Sequence, residues 1–383
     1  MKIVQAYIFF SIKFAGGTSD LMYKLSKALE KKNVDNTILC GSYKFDNILA
    51  SKLKKTKFAV CNSYLDKYGF SITPGYINFL LKEIKSIDIL HLHVFRTFQN
   101  IVIYLFCRIF KKEYIMDAHG SLPYFTNKNL LKKVFDFIIG KRILRDAKYL
   151  IAETEVGKKE YLELDSKIDK NKIKIISPPF DTDEFNRKFL KNNFRKKFNI
   201  SEDKKVITFL GRIHYIKGVD YLLKGFADLL KKSKKDYLLC LIGSDDGYLD
   251  ETLRLAKSLN ITDNIKYIGF LSGEDKNDAL YDSDLVVQLS RLEQGAWAPI
   301  EAVLCGTPIL VTKNTGSGED VLRLDAGAVV EFDDIISFSK IVEDIFDNYD
   351  FWKSKTIKAK DFINKNLSFN ARIEEYIRLY EKL

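Results

Sequence analysis

Two glutamates, Glu293 and Glu301, bracket the stretch EQGAWAPIE, with a strand-like run LVVQLS before it and a helix-like run PIEAVLCG closing it. A carboxylate at such a junction can accept two hydrogen bonds from a vicinal diol, such as the 2′ and 3′ hydroxyls of a ribose. It can also simply stabilise the positive end of a helix, a contribution of about 0.3–1 kcal/mol. Pro299 suits the first turn of a helix, where its missing N–H costs nothing, and this predicts Glu301 in that first turn. Glu293 falls on the strand-end loop. Gly295 and Ala296 are small enough for backbone N–H groups to approach a ligand, and Trp297 follows them. Further upstream, VITFL runs into GRIHYIKGVDYLLKGF, which sets Arg212 and Lys217 on a loop opening a helix beside Gly211 and Gly218. Two cations at a helix N-terminus favour a polyanion such as a diphosphate. The plainer reading is a surface loop with ordinary basic residues.

Histidine is the other chemically able residue. His119, in MDAHGSLP, follows an apolar run at what would be the functional end of a strand. His91 and His93 alternate in DILHLHV; one face of a strand could present both to a metal, but no third ligand with suitable spacing is evident. Hydrogen-bonded core histidines fit them better, and His214 reads as spacing within the basic loop. The Asp-x-Asp pairs DTD at 181–183 and DSD at 282–284 invite a metal reading. One lies in a linker-like stretch and the other precedes a buried strand, so no metal site is expected.

These residues need a frame. Strand-length apolar runs alternate with helical patterns along the whole chain: KIVQAYIFF, NTILCG, KFAVCN, DILHLHV, EYIMDAH, YLIAET and IKIISPP, then VITFLGR, YLLCLIGS, IKYIGF, LVVQLS, PILVT and AGAVVEF. Near-continuous Val/Ile/Leu runs separated by helices imply α/β architecture with parallel sheets buried on both faces. Two sets imply two doubly wound domains, with ligands outside the carboxyl ends of the strands. The polar, basic stretch around 177–200 marks the boundary. The expected layout is a Rossmann-like domain over 1–180, a linker over 181–203, a second Rossmann-like domain over 204–365 and a C-terminal helix over 366–383 able to return to the first domain.

The 383 residues suit two domains. The longest apolar runs fall far short of the ~20 residues that span a bilayer, and MKIVQAYIFF reads as a first strand instead of a leader. Five cysteines without a CxxC fit free buried thiols in a reducing cytoplasm. Residues 1–200 carry 37 Lys/Arg against 20 Asp/Glu, whereas residues 201–383 carry 25 against 31. A basic first half suggests an anionic partner; a composition rich in Lys, Ile and Asn would raise the pI equally well. The segment LKKVFDFIIGKRILRDAKYL mixes apolar residues at helical spacing with Lys132, Lys133, Lys141, Arg142, Arg145 and Lys148. It reads either as a basic amphipathic helix on an anionic membrane surface or as a helix packed on the sheet with a solvated basic face.

The ordered series GRIHYIKG, LIGSDDGYL, IKYIGFLSGEDKNDALYDSDLVVQLS and EQGAWAPIEAVLCGTPILVT resembles the nucleotide-sugar half of retaining glycosyltransferases of family 4 (glycosyl transferases group 1). The resemblance covers 204–335 well and the first domain more loosely. It implies the GT-B fold, two Rossmann-like domains facing a cleft, the first for the acceptor and the second for the nucleotide sugar. It also implies roles. Arg212 and Lys217 match the donor-diphosphate pair, Glu301 the ribose glutamate, and Glu293 the glutamate near the sugar hydroxyls and reaction centre. Gly269, Phe270 and Leu271 match the backbone beside the base. Gly16 and Gly17, in AGGTSD, match the glycine loop that approaches the phosphate or acceptor, and His119 matches the histidine near the donor sugar. The sequence departs from the usual pattern at Gly295, Ala296 and Trp297, where many members carry an aromatic residue and then a glycine, so the donor sugar cannot be carried over. KNTGSGED, 313–320, is a loose version of the family's glycine-rich segment.

The activity so implied is metal-independent hexosyl transfer with retained anomeric configuration, from a UDP- or GDP-linked sugar to a hydroxyl of a glycan, lipid-linked glycan or glycolipid, in surface polysaccharide or glycoconjugate synthesis. No cofactor beyond this co-substrate is implied. The expected location is cytoplasmic, with peripheral contact on the inner face of the membrane. Two rivals share the architecture: a silent relative that only binds nucleotide sugar, and a nucleotide-sugar 2-epimerase, whose acid/base cluster is not evident in the first half. A nucleic-acid-binding protein is disfavoured, because the motifs lie in the acidic half and no aromatic-basic recognition module appears.

Overall fold

A computed structural model describes residues 1–65, 71–124, 129–295 and 297–382. The chain forms two compact units, one of Met1–Pro179 together with Phe369–Leu383, the other of Phe180–Ser368.

The first unit is built on strands β1 (Lys2–Ala6), β2 (Asp35–Gly41), β3 (Lys57–Cys61), β4 (Ile89–His93), β5 (Tyr114–Asp117), β6 (Tyr149–Ala152) and β7 (Ile173–Ile175). They form one parallel sheet in the order β3-β2-β1-β4-β5-β6-β7. The second unit carries β8 (Lys205–Leu210), β9 (Tyr237–Ile242), β10 (Ile265–Gly269), β11 (Leu285–Gln288), β12 (Ile309–Thr312) and β13 (Ala328–Val330), in the order β10-β9-β8-β11-β12-β13. Every residue of β4, β5, β9, β11 and β12 is buried, which is why these strands are mostly apolar on both faces, with His91, His93, Asp117 and Gln288 among the buried polar exceptions. Both sheets are doubly wound Rossmann-like sheets with flanking helices. The strand order reverses between β1 and β4 in one and between β8 and β11 in the other. At such a point the loops leaving neighbouring strands turn to opposite faces and open a crevice at the strands' carboxyl ends.

Helices cover the sheets through single apolar faces. In the helix Val219–Lys232, Val219, Leu222, Leu223, Phe226 and Leu229 are buried, while Asp220 at its start and Lys231 and Lys232 at its end complement the helix dipole. The helix Phe369–Tyr380 belongs to the first unit, where Phe369, Ile373, Tyr376, Ile377 and Tyr380 join Ile3, Ile89, Ile115 and Ile151 in one core. The expected linker 181–203 is no linker. Phe185 and Phe194 are buried in the second unit's core, and Arg195 bonds the Ser201 and Lys204 carbonyls and the Asp284 carboxylate. The sparse apolar residues of that stretch hid this anchoring.

All five cysteines are buried and free. Among the described residues, no helix is long and apolar enough to cross a membrane.

Candidate functional site

In the second unit, the loops after β8 and β11 carry Arg212, Lys217 and Glu293, on the two strands that flank the switch point. Lys217 closes a short turn, Tyr215–Lys217, and Gly218 then caps the helix Val219–Lys232 at φ +64°. A Cβ on Gly218 would lie 1.9 Å from the Leu289 carbonyl oxygen. Only glycine lets the β8 loop come so close to the end of β11. Arg291 locks the same junction. Its guanidinium bonds both Asp220 oxygens at 2.7 and 2.6 Å and the Tyr215 carbonyl at 2.7 Å, lying over the Tyr215 ring. Burial alone would push the Asp220 carboxyl up, but Arg291 outweighs it and holds it below its ordinary value.

This clamp fixes a set of paired charges. Lys217 Nζ donates to Glu293 Oε2 at 2.5 Å, and Ser290 Oγ donates to the same oxygen at 3.1 Å. Arg212 bonds Asp246, on the loop after β9, and remains half exposed. Lys276, in the helix Gly273–Tyr281, donates to Glu301 Oε1 at 2.6 Å. Asp246, Ser290, Lys276 and Arg291 were not apparent from the sequence. Lys276, Asp246 and Arg291 reach their partners from a different helix or strand-end loop, a proximity that no local spacing encodes, whereas Ser290 sits three residues before Glu293 on the same loop.

The glutamate loop is pinned from behind by KNTGSGED. Gly316 N donates to the Glu293 carbonyl at 2.6 Å, and Ser317 Oγ donates to the buried Gly295 carbonyl at 3.0 Å. A Cβ on Gly316 would sit 1.9 Å from the Gln294 carbonyl oxygen. The glycine-rich segment therefore works as a close-fitting buttress, with Thr315 capping the helix Gly316–Leu324.

Three expectations for this stretch need correction or placement. The helix begins at Trp297, two residues before Pro299, so Glu301 lies beyond the first turn, buried and paired with Lys276. Trp297 is a helical residue, not a loop residue, and its indole packs against Phe180, ring centroids 5.6 Å apart. Ala296 lies outside the described residues. Gly269, at φ +83°, ends β10 and its carbonyl accepts from Gly243 N at 2.9 Å; Phe270 is exposed beside it and Leu271 packs on the core.

In the first unit, Gly16, at φ +54°, caps the helix Gly17–Lys31 after β1. His119 follows β5 at φ +45°, and Val94 follows β4 at φ +65°, a costly conformation for a β-branched residue. The His119 side chain is buried. Its Nε2 meets His93 Nδ1 at 2.9 Å, while its Nδ1 faces Asp117 at 3.3 Å and Glu153 at 3.6 Å. His91 Nδ1 meets Tyr380 Oη at 2.9 Å. Burial drives His91 and His93 well below the usual imidazole range. Burial also opposes charge on His119, but Asp117 and Glu153 prevail and raise it. Burial pushes the Asp117 carboxyl up to about 6. Both His119 nitrogens are thus engaged inside the first unit, and a substrate contact would need one released.

The DSD aspartates are engaged too. Asp282 accepts from Asn192 N and Phe194 N at 2.9 and 2.8 Å, and Asp284 from Arg195 and Val206 N at 2.8 and 2.7 Å. Among the described residues, no group of three His, Cys, Asp or Glu could hold a metal ion.

The chain is similar in sequence and fold to known proteins. A family model described as Glycosyltransferase Family 4 matches residues 15–184, and one described as Glycosyl transferases group 1 matches residues 191–366. An uncharacterized 41.2 kDa protein in the cps region of Klebsiella pneumoniae is 26% identical over 96% of both chains. The crystal structure of Anabaena Alr3699/HepE in complex with UDP and glucose superposes over the full length of both chains with a TM-score of 0.80 at 16% identity. WaaG, a glycosyltransferase involved in lipopolysaccharide biosynthesis, superposes over 99% of both chains with a TM-score of 0.74 at 12% identity.

Proposed function

The chain is a glycosyltransferase of the two-domain GT-B kind, and we propose that it transfers a hexose from a nucleoside diphosphate to a hydroxyl acceptor, retaining the anomeric configuration and using no metal ion. The observation that carries this reading is the paired-charge array at the β8/β11 switch point, with Arg212, Lys217 and Glu293 on strand-end loops and Glu301 in the helix that follows. Arg212 and Lys217 hold the diphosphate, Glu301 accepts from the ribose diol, and Glu293 accepts from the sugar's hydroxyls. Gly269, Phe270 and Leu271 lie along the base, and Gly295 and Trp297 border the sugar. The UDP and glucose in the Anabaena neighbour favour uridine over guanosine as the base. The involvement of WaaG in lipopolysaccharide biosynthesis favours a glycoconjugate acceptor.

Transfer breaks the bond from the anomeric carbon to the phosphate oxygen and forms one to the acceptor oxygen on the same face. Negative charge grows on the leaving diphosphate as the sugar becomes oxocarbenium-like. Fixed cations aimed at that group stabilise the transition state more than the ground state. The diphosphate oxygen so released takes the acceptor's proton, which balances the step without a protein base. Gly16, Gly17 and His119 are assigned to the first unit's share of substrate contact.

The test is thermal-shift stabilisation by UDP, GDP, ADP and TDP with EDTA present. A rise with UDP or GDP that survives EDTA is expected. No rise with any of the four, or a rise that EDTA abolishes, would overturn the donor site or its metal independence respectively.

A further inference from the structure

The first unit carries a helical segment whose two faces differ sharply. It runs through Asn129–Phe135, one turn of π-helix at Asp136–Gly140, and Lys141–Asp146. The inner face is fastened. Asp136, fully buried, accepts from Arg96 Nε and Nη2 at 3.0 and 2.7 Å and from Tyr124 Oη at 2.6 Å. Phe135 packs edge-on against Phe95, and Ile143 and Leu144 are in the core. The π-turn shifts the register so that Asp136 and Gly140 both face inward.

The outer face is apolar. Leu130 is 74% exposed, Leu131 69%, Val134 46%, Phe137 87% and Ile138 61%. Their spacing, i, i+1, i+4, i+7, i+8, makes one stripe. A water-facing helix gains nothing from five such side chains in a row, and a contiguous exposed apolar patch marks an interaction surface. Cations flank the stripe: Lys133 is exposed beside Val134, and Lys141 and Arg142 stand one turn beyond Phe137 and Ile138.

A second observation lies next to it. Phe137 forms the rim of an open groove of about 520 Å³ that also takes in Lys141, Arg142, Arg145 and Lys167. Glu163 and Asp165 face the same groove. Asp165 is held by Arg145 at 2.6 Å, and the remaining cations exceed the remaining carboxylate. Apolar side chains on the rim of a cationic groove match the boundary of a bilayer, acyl chains on one side and phosphates on the other.

We infer that the segment Leu130–Arg145 docks this protein on an anionic phospholipid surface, its apolar stripe entering the acyl boundary and the Lys141/Arg142/Lys167 groove taking lipid phosphates. The stems of Lys133 and Lys141 can lie along the stripe while their ammonium groups stay among headgroups. This placement does not depend on the nucleotide reading, because it uses no residue of the second unit.

The test is flotation of the full chain with phosphatidylcholine vesicles, with and without phosphatidylglycerol, for the wild type, Phe137→Glu/Ile138→Glu and Lys141→Ala/Arg142→Ala. All the altered side chains lie at the surface or the groove rim, and an unchanged UDP shift in each variant certifies the fold and keeps this test separate from that of the donor site. If UDP shifts none of the proteins, matching thermal midpoints serve instead. Wild-type flotation only with phosphatidylglycerol, reduced about tenfold or more in both variants, is expected. Wild type left behind by anionic vesicles at low salt would overturn the inference, as would variants that float like wild type. A dimer dispersed by the double glutamate, with no vesicle binding to lose, would reassign the face to a second copy. Complete competition by glycerol phosphate, with Phe137→Glu/Ile138→Glu floating as before, would reassign the groove to a soluble phosphate.

Discussion

Lys217 Nζ holds Glu293, so a diphosphate entering beside it must take the ammonium from that carboxylate. The exchange leaves Glu293 free to accept from sugar hydroxyls at the moment the donor arrives, which couples donor binding to the readiness of the reaction centre. The two glutamates should then separate in kinetics. Glu301→Gln removes a charged acceptor from the ribose and should weaken UDP binding about tenfold or more, the scale of a charge-assisted hydrogen bond. Glu293→Gln removes the competitor for Lys217, so UDP binding should hold or tighten, while turnover falls ~100-fold, the cost of one positioned polar contact at a reacting centre. Calorimetry with UDP and steady-state rates with the sugar donor decide it. Equal losses of affinity in both variants would refute the exchange. The sequence offered these residues as isolated charges of the right kind. Their pairing stayed hidden, because Lys276 reaches Glu301 from another helix and Asp246 reaches Arg212 from another strand-end loop.

At the scale of elements, the parallel sheets were legible because strands buried on both faces are mostly apolar, as YLLCLI is throughout and LVVQ is up to its last residue. Starts and attachments were harder. The helix starting at Trp297 begins before its proline, so the proline signal placed the start two residues late. The Asp282 and Asp284 carboxylates look like ligands in sequence and act as anchors for residues 192–195 in the fold. The helix Phe369–Tyr380 is secured by the least legible contact, Tyr380 to His91. That contact has a pH consequence. Burial holds His91 neutral in the folded protein, whereas the unfolded chain takes up a proton near pH 6.5. Its contribution is therefore fully present above pH 6.5 and is lost as pH falls below it, by about 1.4 kcal/mol per pH unit for one proton. Asp117 and His119, both raised when folded, push the other way over the same range. His91→Asn, which keeps an acceptor for Tyr380 but cannot titrate, should flatten the fall or steepen the rise of Tm from pH 7.5 to 5 relative to wild type. Parallel Tm curves for the two proteins would remove His91 from the account.

At the scale of the whole molecule, charge is divided by task. The net charge of +11 comes from a basic first half set against an acidic second half, yet the group assigned to bind an anion is in the acidic half. This is consistent only if the donor is held by local, partly buried pairs and not by the field of the protein. Lys217 and Glu293 side chains are each 17% exposed, and such pairs are screened little by salt. The cations of the first unit's docking segment are surface charges acting over a Debye length, about 10 Å at 0.1 M salt and about 3 Å at 1 M. Salt should therefore separate the two activities. Between 50 and 500 mM NaCl, UDP affinity should change by no more than about threefold, the residue owed to half-exposed Arg212. Vesicle flotation should drop by more than about tenfold over the same range. Calorimetry and flotation on one preparation give both curves. If affinity for UDP falls as steeply as flotation, the donor is held by long-range attraction to basic residues and the paired array at β8 and β11 is not what holds it.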